Sequence, residues 1–344
     1  MIYPKFITPG DIIGVTAPSC GITDEPGKRR FLNAKNHLEK EGYQVAFTKN
    51  VFETLEDVDV SSTAEERARQ LGELICNDRV GAVFSAAGGT YLAEMLQDVD
   101  FLSIAKHPKW IQGYSDNTSL LYILTTGYDV ATSYGNNFGE FGMQIWEKHV
   151  TDNFLLLSGK TKVQSGFSFH EGKRDFSDDT EKTGLEGHDF TEPVFWKTNT
   201  SDGKAQMQGR LIGGCLDVLL FLAGTRYDHT LEFLERYKDD GIIWYFETFL
   251  ANADDLSMHL WKLKEMGWFR YTKGIVFGRP LMFESWSGKS YQETVSYMLR
   301  DVSVPMIFDA DFGHVAPRMT MINGALASVS CAEGNGKIEY NFSR

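Results

Sequence analysis

Short apolar runs alternate with amphipathic stretches from residue 11 to about residue 134. The strand-like runs lie at residues 12–17, 44–47, 80–85 and 109–112. Between them, apolar residues recur at helical spacing, as Phe31, Ala34 and Leu38 do. This alternation is typical of a parallel sheet covered by helices. The sequence therefore predicts an N-terminal α/β domain.

The hydrophobic pattern fails between about residues 158 and 203. Gly, Ser, Thr, Asp, Glu and Lys predominate there, and the pair Phe195 and Trp196 stands out as bulky and apolar. Strands and helices are predicted again beyond this stretch, and the tail from residue 304 to 338 is rich in β-like runs. A polar stretch between two patterned ones indicates a domain connection. We predict an N-terminal domain at 1–160, a connecting segment at 161–205 and a C-terminal domain at 206–344.

Size and charge narrow the class of protein. A chain of 344 residues corresponds to about two domains at roughly 150 residues each. The 34 Lys+Arg and 47 Asp+Glu give a net charge of −13, which would repel a phosphate backbone. The first residues lack a basic stretch followed by a long apolar run, and no window approaches 18 apolar residues. We expect a cytoplasmic protein with neither nucleic acid nor membrane as a partner.

Two predicted strand-to-helix turns carry glycines and small polar residues. They are Ala-Ala-Gly-Gly-Thr at 86–90 and Gly-Tyr-Ser-Asp-Asn at 113–117. Ligands of open α/β sheets bind at the carboxyl ends of strands, where both turns lie. The site is therefore predicted there. Gly88 and Gly89 would let the backbone approach a substrate closely and offer an N–H to an oxyanion.

Three residues are candidates for chemistry. Ser115 lies at a turn where a nucleophile's hydroxyl would project from the sheet, although Ser115 or Asp116 could instead be a helix N-cap. Glu247 ends a run of five apolar residues and is either a site carboxylate or a charge at a helix start. His314 lies in a turn bounded by Gly313 and Pro317, and a lone histidine is more often structural or exposed than catalytic.

The sequence predicts neither a metal site nor a cofactor. His149, His170 and His188 fall in polar regions without partners three or four residues away, and the four cysteines form no C-x-x-C pair. The nucleotide-binding patterns G-x-G-x-x-G and G-x-x-x-x-G-K-[ST] are both absent. We expect the cysteines to be reduced thiols.

Several motifs in order along the chain resemble the LD-carboxypeptidase family of serine peptidases, which includes the microcin C self-immunity proteins. They are residues 9–19 (PGDIIGVTAPS), 87–90 (AGGT), 113–118 (GYSDNT), 209–214 (GRLIGG), the strand ending in Glu247, and Gly313-His314-x-x-Pro317 with Asn323-Gly324. The resemblance implies an α/β fold: a Rossmann- or flavodoxin-like parallel-sheet domain followed by a β-rich α+β domain. It also implies a homodimer.

The resemblance also implies a Ser-Glu-His triad. Ser115 would be the nucleophile, His314 the general base and then acid, and Glu247 the group that orients His314. The backbone N–H groups of Asp116 and of the Gly88–Gly89 turn would form the oxyanion hole. The implied reaction is hydrolysis of the C-terminal L,D-amide bond of murein tetrapeptides, or of the amide that joins a peptidyl aspartate to a nucleotide analogue.

Two departures from the family pattern concern the substrate. Many murein-cleaving members carry Arg where this chain has Ala87, and the usual Gly-Gly-Asn-Leu is Gly-Gly-Cys-Leu at 213–216. An aromatic residue of the connecting segment stacks on the nucleotide in the immunity branch, and Phe195 or Trp196 could serve, unless the pair anchors the segment. Two alternatives remain: a non-catalytic two-lobed binding protein, and an α/β-hydrolase esterase, which normally has G-x-S-x-G.

Overall fold

The computed structural model describes residues 1–55, 58–173 and 182–342. The chain divides into two compact units. The first comprises the described residues of Met1–Thr161 and Arg174–His188, and the second those of Lys162–Lys173 and Asp189–Arg344. The segment predicted as a connection at 161–205 thus contributes to both units, and its residues 174–181 lie outside the described part. None of the described helices is both long enough and apolar enough to cross a bilayer.

Strands β1 to β5 of the first unit are parallel and lie in the order β2-β1-β3-β4-β5. This is the flavodoxin-like order, with its switch point between β1 and β3. The strands are Ile12–Thr16, Gln44–Phe47, Val80–Ser85, Trp110–Gly113 and Thr132–Tyr134. Helices α1 to α6 are Glu25–Lys40, Ala64–Cys76, Leu92–Met95, Phe101–Lys106, Thr118–Tyr128 and Lys148–Leu157, and the 3₁₀ turns are Lys49–Phe52, Ser115–Asn117 and Phe138–Gly142.

Helix starts and buried faces of the first unit follow from residue type. Asp24 caps α1 by accepting a hydrogen bond from the amide of Gly27, and Thr63 caps α2. The predicted helical stripe of Phe31, Ala34 and Leu38 is buried. The central strands β1 and β3 are almost wholly buried, as strands of a sheet covered on both faces are. The predicted parallel-sheet N-terminal domain is confirmed.

Among the described residues, the second unit contains an eight-stranded sheet in the order β6-β18-β17-β10-β11-β13-β15-β9. The four strands β10, β11, β13 and β15 are parallel, and the flanking strands are antiparallel. The strands β6 to β18 are Val163–Ser165, Phe169–Glu171, Phe190–Pro193, Lys197–Thr198, Ala205–Cys215, Ile242–Glu247, Leu250–Asn252, Thr272–Gly278, Met282–Glu284, Met306–Ala310, Met321–Asn323, Leu326–Ala332 and Asn335–Asn341. Helices α7 to α10 are Leu216–Leu222, Thr230–Arg236, Ala253–Glu265 and Tyr291–Met298.

Strand β11 forms the centre of this sheet. All its residues, Ile242–Glu247, are buried, and Trp244 stacks on Trp268 with ring centroids 5.3 Å apart. Its parallel pairing with β10 sets Cys215 opposite Glu247 at the carboxyl ends of both strands. A carboxylate is thereby fixed at the end of a buried strand. The predicted β-rich C-terminal domain is confirmed.

Candidate active site

Ser115 has a strained backbone. It follows β4, begins the 3₁₀ turn that leads into α5, and has a φ of 65°. A left-handed conformation costs a residue with a Cβ about 1–2 kcal/mol. Such strain, at a sharp strand-to-helix turn, is characteristic of nucleophiles held exposed at a sheet edge. Residue type alone does not predict this strain, because serine has no particular preference for positive φ.

Glycines make room around this turn. A Cβ on Gly88 would lie 2.9 Å from the Cβ of Ser115 and 3.1 Å from its Oγ. A Cβ on Gly113 would lie 2.8 Å from the Cγ of Asn117. The side-chain amide of Asn117 donates a hydrogen bond from Nδ2 to the carbonyl oxygen of Ala87 at 3.0 Å. Asn117, which stands where G-x-S-x-G has its second glycine, therefore ties the two predicted turns together.

Asp116 uses its side chain to hold the turn. Its buried Oδ2 accepts hydrogen bonds from the hydroxyl of Ser19 at 2.7 Å and from the amide of Leu92 at 2.9 Å. Burial raises the pKa of Asp116, against the opposing effect of these bonds and of the Arg67 charge. The N-cap residue of α5 is Asn117. Neither Ser115 nor Asp116, the two residues considered for that role from the sequence, is at the N-cap. Gly88 lies beside the backbone nitrogen of Asp116, since its Cβ would be 3.8 Å away.

Gly89 has a separate reason to be glycine. Its φ is +147°, and a Cβ there would clash with the side chains of Ser19 and Cys20. The carbonyl oxygen of the preceding Gly88 accepts a hydrogen bond from the amide of Cys20 at 3.2 Å. The pair therefore packs against the turn that follows β1, on the other side of the topological switch point.

Glu247 and His314 form a buried hydrogen-bonded pair in the second unit. Nδ1 of His314 lies 2.7 Å from Oε2 of Glu247. The Glu247 side chain is fully buried and that of His314 is 8% exposed. The ring of Phe249 packs against the imidazole, with centroids 4.8 Å apart. A carboxylate that accepts from Nδ1–H fixes the tautomer in which Nε2 carries the lone pair that can accept a proton.

The loop that carries His314 is shaped around Glu247. Gly313 has a φ of +101°, and a Cβ there would lie 2.8 Å from the Cβ, Cγ and Oε2 of Glu247. The guanidinium of Arg318 donates to the carbonyl oxygens of Gly313 at 2.7 Å and His314 at 3.3 Å. The amide of Ala316 donates to Oε2 of Glu171 at 2.8 Å. Backbone contacts, rather than the histidine alone, thus determine where the imidazole lies.

Cys215 lies near the Glu247–His314 pair. The sequence did not single out Cys215 as a site residue. Potential ligand atoms of Cys215, Glu247 and His314 lie within 4.8 Å of one another. Burial, followed by the nearby Glu247 and Asp217 carboxylates, raises the pKa of the Cys215 thiol well above its usual value. Cys215 stands at the sequence position where the family pattern has an asparagine.

The two aromatic residues of the connecting segment differ in exposure. Trp196 is 1% exposed and donates its indole N–H to Oδ2 of Asp311 at 3.0 Å. Phe195 is 59% exposed. A buried, hydrogen-bonded indole is typical of a residue that anchors its segment to the core. This favours the anchoring role of Trp196 over the substrate-binding role that the sequence also allowed. Phe195 presents the accessible ring of the two.

Family models match the chain in both of its units. The LD-carboxypeptidase N-terminal domain matches residues 13–135, and the LD-carboxypeptidase C-terminal domain matches residues 208–329. The chain belongs to the LD-carboxypeptidase family. The resemblance seen in the sequence is thereby confirmed, and the protein is a peptidase, that is, a hydrolase.

Individual members of the LD-carboxypeptidase family match the chain along nearly its whole length. The Microcin C7 self-immunity protein of Escherichia coli is 26% identical, and the match spans 97% of this chain and 94% of the length of that protein. The "Probable murein peptide carboxypeptidase" of Bacillus subtilis is also 26% identical, over 99% of this chain and 95% of its own. The solved structure of the self-immunity protein in complex with aspartyl sulfamoyl adenosine has a TM-score of 0.81 at 21% identity, with both chains fully covered.

Proposed function

We propose that this LD-carboxypeptidase family member is a serine carboxypeptidase whose triad is Ser115, His314 and Glu247. The proposal rests chiefly on the 2.7 Å contact between Nδ1 of His314 and Oε2 of Glu247, because a buried carboxylate on that nitrogen is what a general-base histidine needs. The strained turn at Ser115 supports the assignment of the nucleophile. By the family resemblance, we expect the enzyme to act as a homodimer in the cytoplasm.

The proposed reaction has two halves. The Ser115 hydroxyl attacks the carbonyl carbon of the C-terminal amide while Nε2 of His314 takes its proton. The tetrahedral oxyanion accepts hydrogen bonds from the backbone N–H groups of Asp116 and the Gly88–Gly89 turn. His314 then gives the proton to the leaving nitrogen as the C–N bond breaks. Water, deprotonated by the same imidazole, hydrolyses the acyl-enzyme and regenerates the serine.

Glu247 stabilises the imidazolium that forms in each half of this reaction. Its carboxylate accepts from Nδ1–H and keeps Nε2 directed at the proton that moves. The full burial of the Glu247 side chain strengthens this interaction, because no water screens it. The proposed roles need no metal ion or organic cofactor.

For the substrate we propose the murein tetrapeptide, a small peptide whose terminal L,D-amide would be cleaved to release D-Ala. The relative from Bacillus subtilis, whose name refers to murein peptides, supports this choice. Cleavage at the carboxyl end of a small peptide also agrees with the carboxypeptidase family to which the chain belongs.

A second candidate substrate is a peptidyl or aminoacyl nucleotide, which is likewise small and peptide-like. Ala87 favours it, because many murein-cleaving members carry Arg at that position. The 59% exposed ring of Phe195 favours it further, since an accessible aromatic ring can stack on a base. The self-immunity relative, solved with aspartyl sulfamoyl adenosine, supports the same choice.

A competition assay distinguishes the two substrates. The purified protein is offered a UDP-muramoyl tetrapeptide together with an aspartyl sulfamoyl-adenosine, and mass spectrometry follows both, with Ser115→Ala as the control. Loss of D-Ala alone identifies a murein LD-carboxypeptidase. Release of sulfamoyl-adenosine alone identifies a self-immunity-type enzyme. Neither product from the wild type would contradict the proposal and favour a binding protein. Equal activity of Ser115→Ala would instead contradict the assignment of Ser115 as the nucleophile.

A further inference from the structure

A second cluster of ionisable side chains lies within the first unit. Glu140 belongs to the 3₁₀ turn Phe138–Gly142, Glu147 precedes α6, and His149 lies in its first turn. His188 comes from a separate stretch of chain at the end of that unit. The His149 side chain is fully buried, and those of Glu140, Glu147 and His188 are 12% to 19% exposed. The proposed triad uses none of these four residues.

The two imidazoles are oriented alike between the two carboxylates. Nε2 of His149 and Nε2 of His188 each lie 3.6 Å from Oε2 of Glu140. On the opposite side, Nδ1 of His149 lies 3.4 Å and Nδ1 of His188 2.9 Å from Oε2 of Glu147. One carboxylate therefore faces both Nε2 atoms, and the other faces both Nδ1 atoms.

We propose that Glu140, His149 and His188 form a zinc site. The metal would be bound by Nε2 of each histidine and by a carboxylate oxygen of Glu140, with a water molecule as the fourth ligand. One potential ligand atom from each of the three residues lies within 4.8 Å of those of the other two. Bonds of about 2.0–2.1 Å in tetrahedral geometry place ligand atoms about 3.3–3.4 Å apart. The two separations of 3.6 Å need only a small contraction to meet that requirement.

Glu147 gives the cluster its supporting carboxylate. Metal-binding histidines generally donate their other ring N–H to a carboxylate or carbonyl oxygen, which fixes the tautomer and directs the free nitrogen at the metal. Glu147 is placed to accept from both Nδ1 atoms, so that both Nε2 lone pairs face Glu140. The mixed nitrogen and oxygen donors suit Zn²⁺, whereas Mg²⁺ and Ca²⁺ prefer oxygen ligands alone.

The expected role is structural. His188 ends a stretch whose carbonyl oxygens accept hydrogen bonds from α1: Arg29 donates to Thr183 at 3.1 Å, and Arg30 donates to Gly184 at 3.0 Å and Glu186 at 2.8 Å. Zinc at His188 and His149 would join the same stretch to α6. Because the metal binds only the folded arrangement, zinc would raise the stability of the unit.

Sequence spacing predicted no metal site because the ligands come from distant parts of the chain. His149 and His188 are separated by 39 positions, so no short motif links them. The helix start brings Glu147 and His149 together, but only the return of the chain at 182–188 adds the second imidazole. A hydrogen-bonded network without metal is the competing explanation, and stoichiometric binding distinguishes the two.

The test measures zinc binding to the full-length protein. Protein stripped with a chelator is titrated with Zn²⁺ by calorimetry, bound metal is counted by mass spectrometry after dialysis, and Co²⁺ serves as a visible reporter of tetrahedral geometry. We expect one Zn²⁺ per chain, a rise in Tm with zinc, and no comparable effect of Mg²⁺. His188→Ala and Glu140→Gln should weaken zinc binding at least 100-fold, and Glu147→Gln about 10- to 100-fold.

His107→Ala is the matched control, since His107 is an exposed histidine of the same unit. It should bind zinc like the wild type. Circular dichroism of the zinc-free variants establishes that each is folded. If His188→Ala does not fold, Glu140→Gln still tests the site, because it keeps the size of the side chain. Absence of stoichiometric zinc in the wild type, or equal binding by Glu140→Gln, would overturn the proposal.

Discussion

Nδ1 of His314 lies 2.7 Å from Oε2 of Glu247, although 67 positions separate the two residues in the chain. The carboxylate comes from the end of a buried parallel strand, and the imidazole from a loop held by Arg318. Gly313 allows the approach, because a Cβ there would meet the Glu247 side chain. The local structure thus brings together two of the three residues that the proposed mechanism requires.

Glu247→Gln tests the electrostatic part of that pair. The amide keeps the volume of the side chain but removes the charge that stabilises the imidazolium and can favour the wrong tautomer. We expect kcat to fall about 10²- to 10⁴-fold with little change in KM. Glu339→Gln, at an exposed position in the same unit, should leave both constants unchanged. A kcat within threefold of the wild type for Glu247→Gln would contradict the role of Glu247.

The strain at Ser115 predicts an order of stabilities. Glycine accepts a φ of 65° without steric cost, while alanine keeps the strain. Ser115→Gly should therefore unfold with a free energy about 1 kcal/mol higher than Ser115→Ala, after allowance for the greater chain entropy of glycine. Urea denaturation of the two inactive variants gives the comparison. If Ser115→Ala were clearly the more stable, Ser115 would not be strained.

Gly88→Ala tests the space beside the nucleophile. The added Cβ would lie 3.1 Å from Oγ of Ser115, so the serine or the turn must shift. We expect kcat/KM to fall about 100-fold, comparable to the loss of an oxyanion donor. Gly72→Ala is the control: it lies within α2, a Cβ there meets nothing within 4 Å, and it should gain about 0.5–1 kcal/mol in stability with activity unchanged. Equal activity of both variants would argue against the proposed oxyanion turn.

Cys20 should react slowly with alkylating reagents at neutral pH. Burial and the neighbouring Asp59 raise the pKa of its thiol to about 12. A raised pKa favours the protonated thiol, so the reactive thiolate should increase about tenfold per pH unit from pH 7 to pH 10 without a plateau. Pulsed iodoacetamide with peptide mapping measures this rate, with the exposed Cys76 as internal reference. A plateau below pH 9 at Cys20 would show that its thiol is not held in the protonated form.

Phe195 and Trp196 should respond differently to truncation. If the substrate is a nucleotide conjugate, Phe195→Ala should raise its KM about 5- to 10-fold through lost stacking, while a D-Ala leaving group is unaffected. Trp196→Ala should instead lower stability by about 3–5 kcal/mol, because the indole is buried. Steady-state kinetics on both substrates provide the measurement. Equal effects of Phe195→Ala on the two substrates would count against stacking.

Sequence patterns anticipated more of the fold than of the site. The alternation of apolar runs predicted β1 to β4 because a buried parallel strand must be apolar. Glu247 stood out for the complementary reason, as a charge at the end of such a run. The φ of Ser115 and the proximity of Cys215 to the Glu247–His314 pair depend on long-range packing, which no local pattern encodes. The burial of Trp196 could not be predicted from the sequence either, since a bulky apolar residue can anchor a segment or bind a ligand.

The proposed mechanism depends above all on Ser115 being a nucleophile that His314 activates. The most direct measurement is labelling of the full-length protein with a fluorophosphonate probe, followed by peptide mapping and intact mass. We predict one label per chain, on Ser115, lost in Ser115→Ala and reduced at least 100-fold in rate in His314→Ala. A label on a different residue, or an unchanged rate in His314→Ala, would contradict this mechanism.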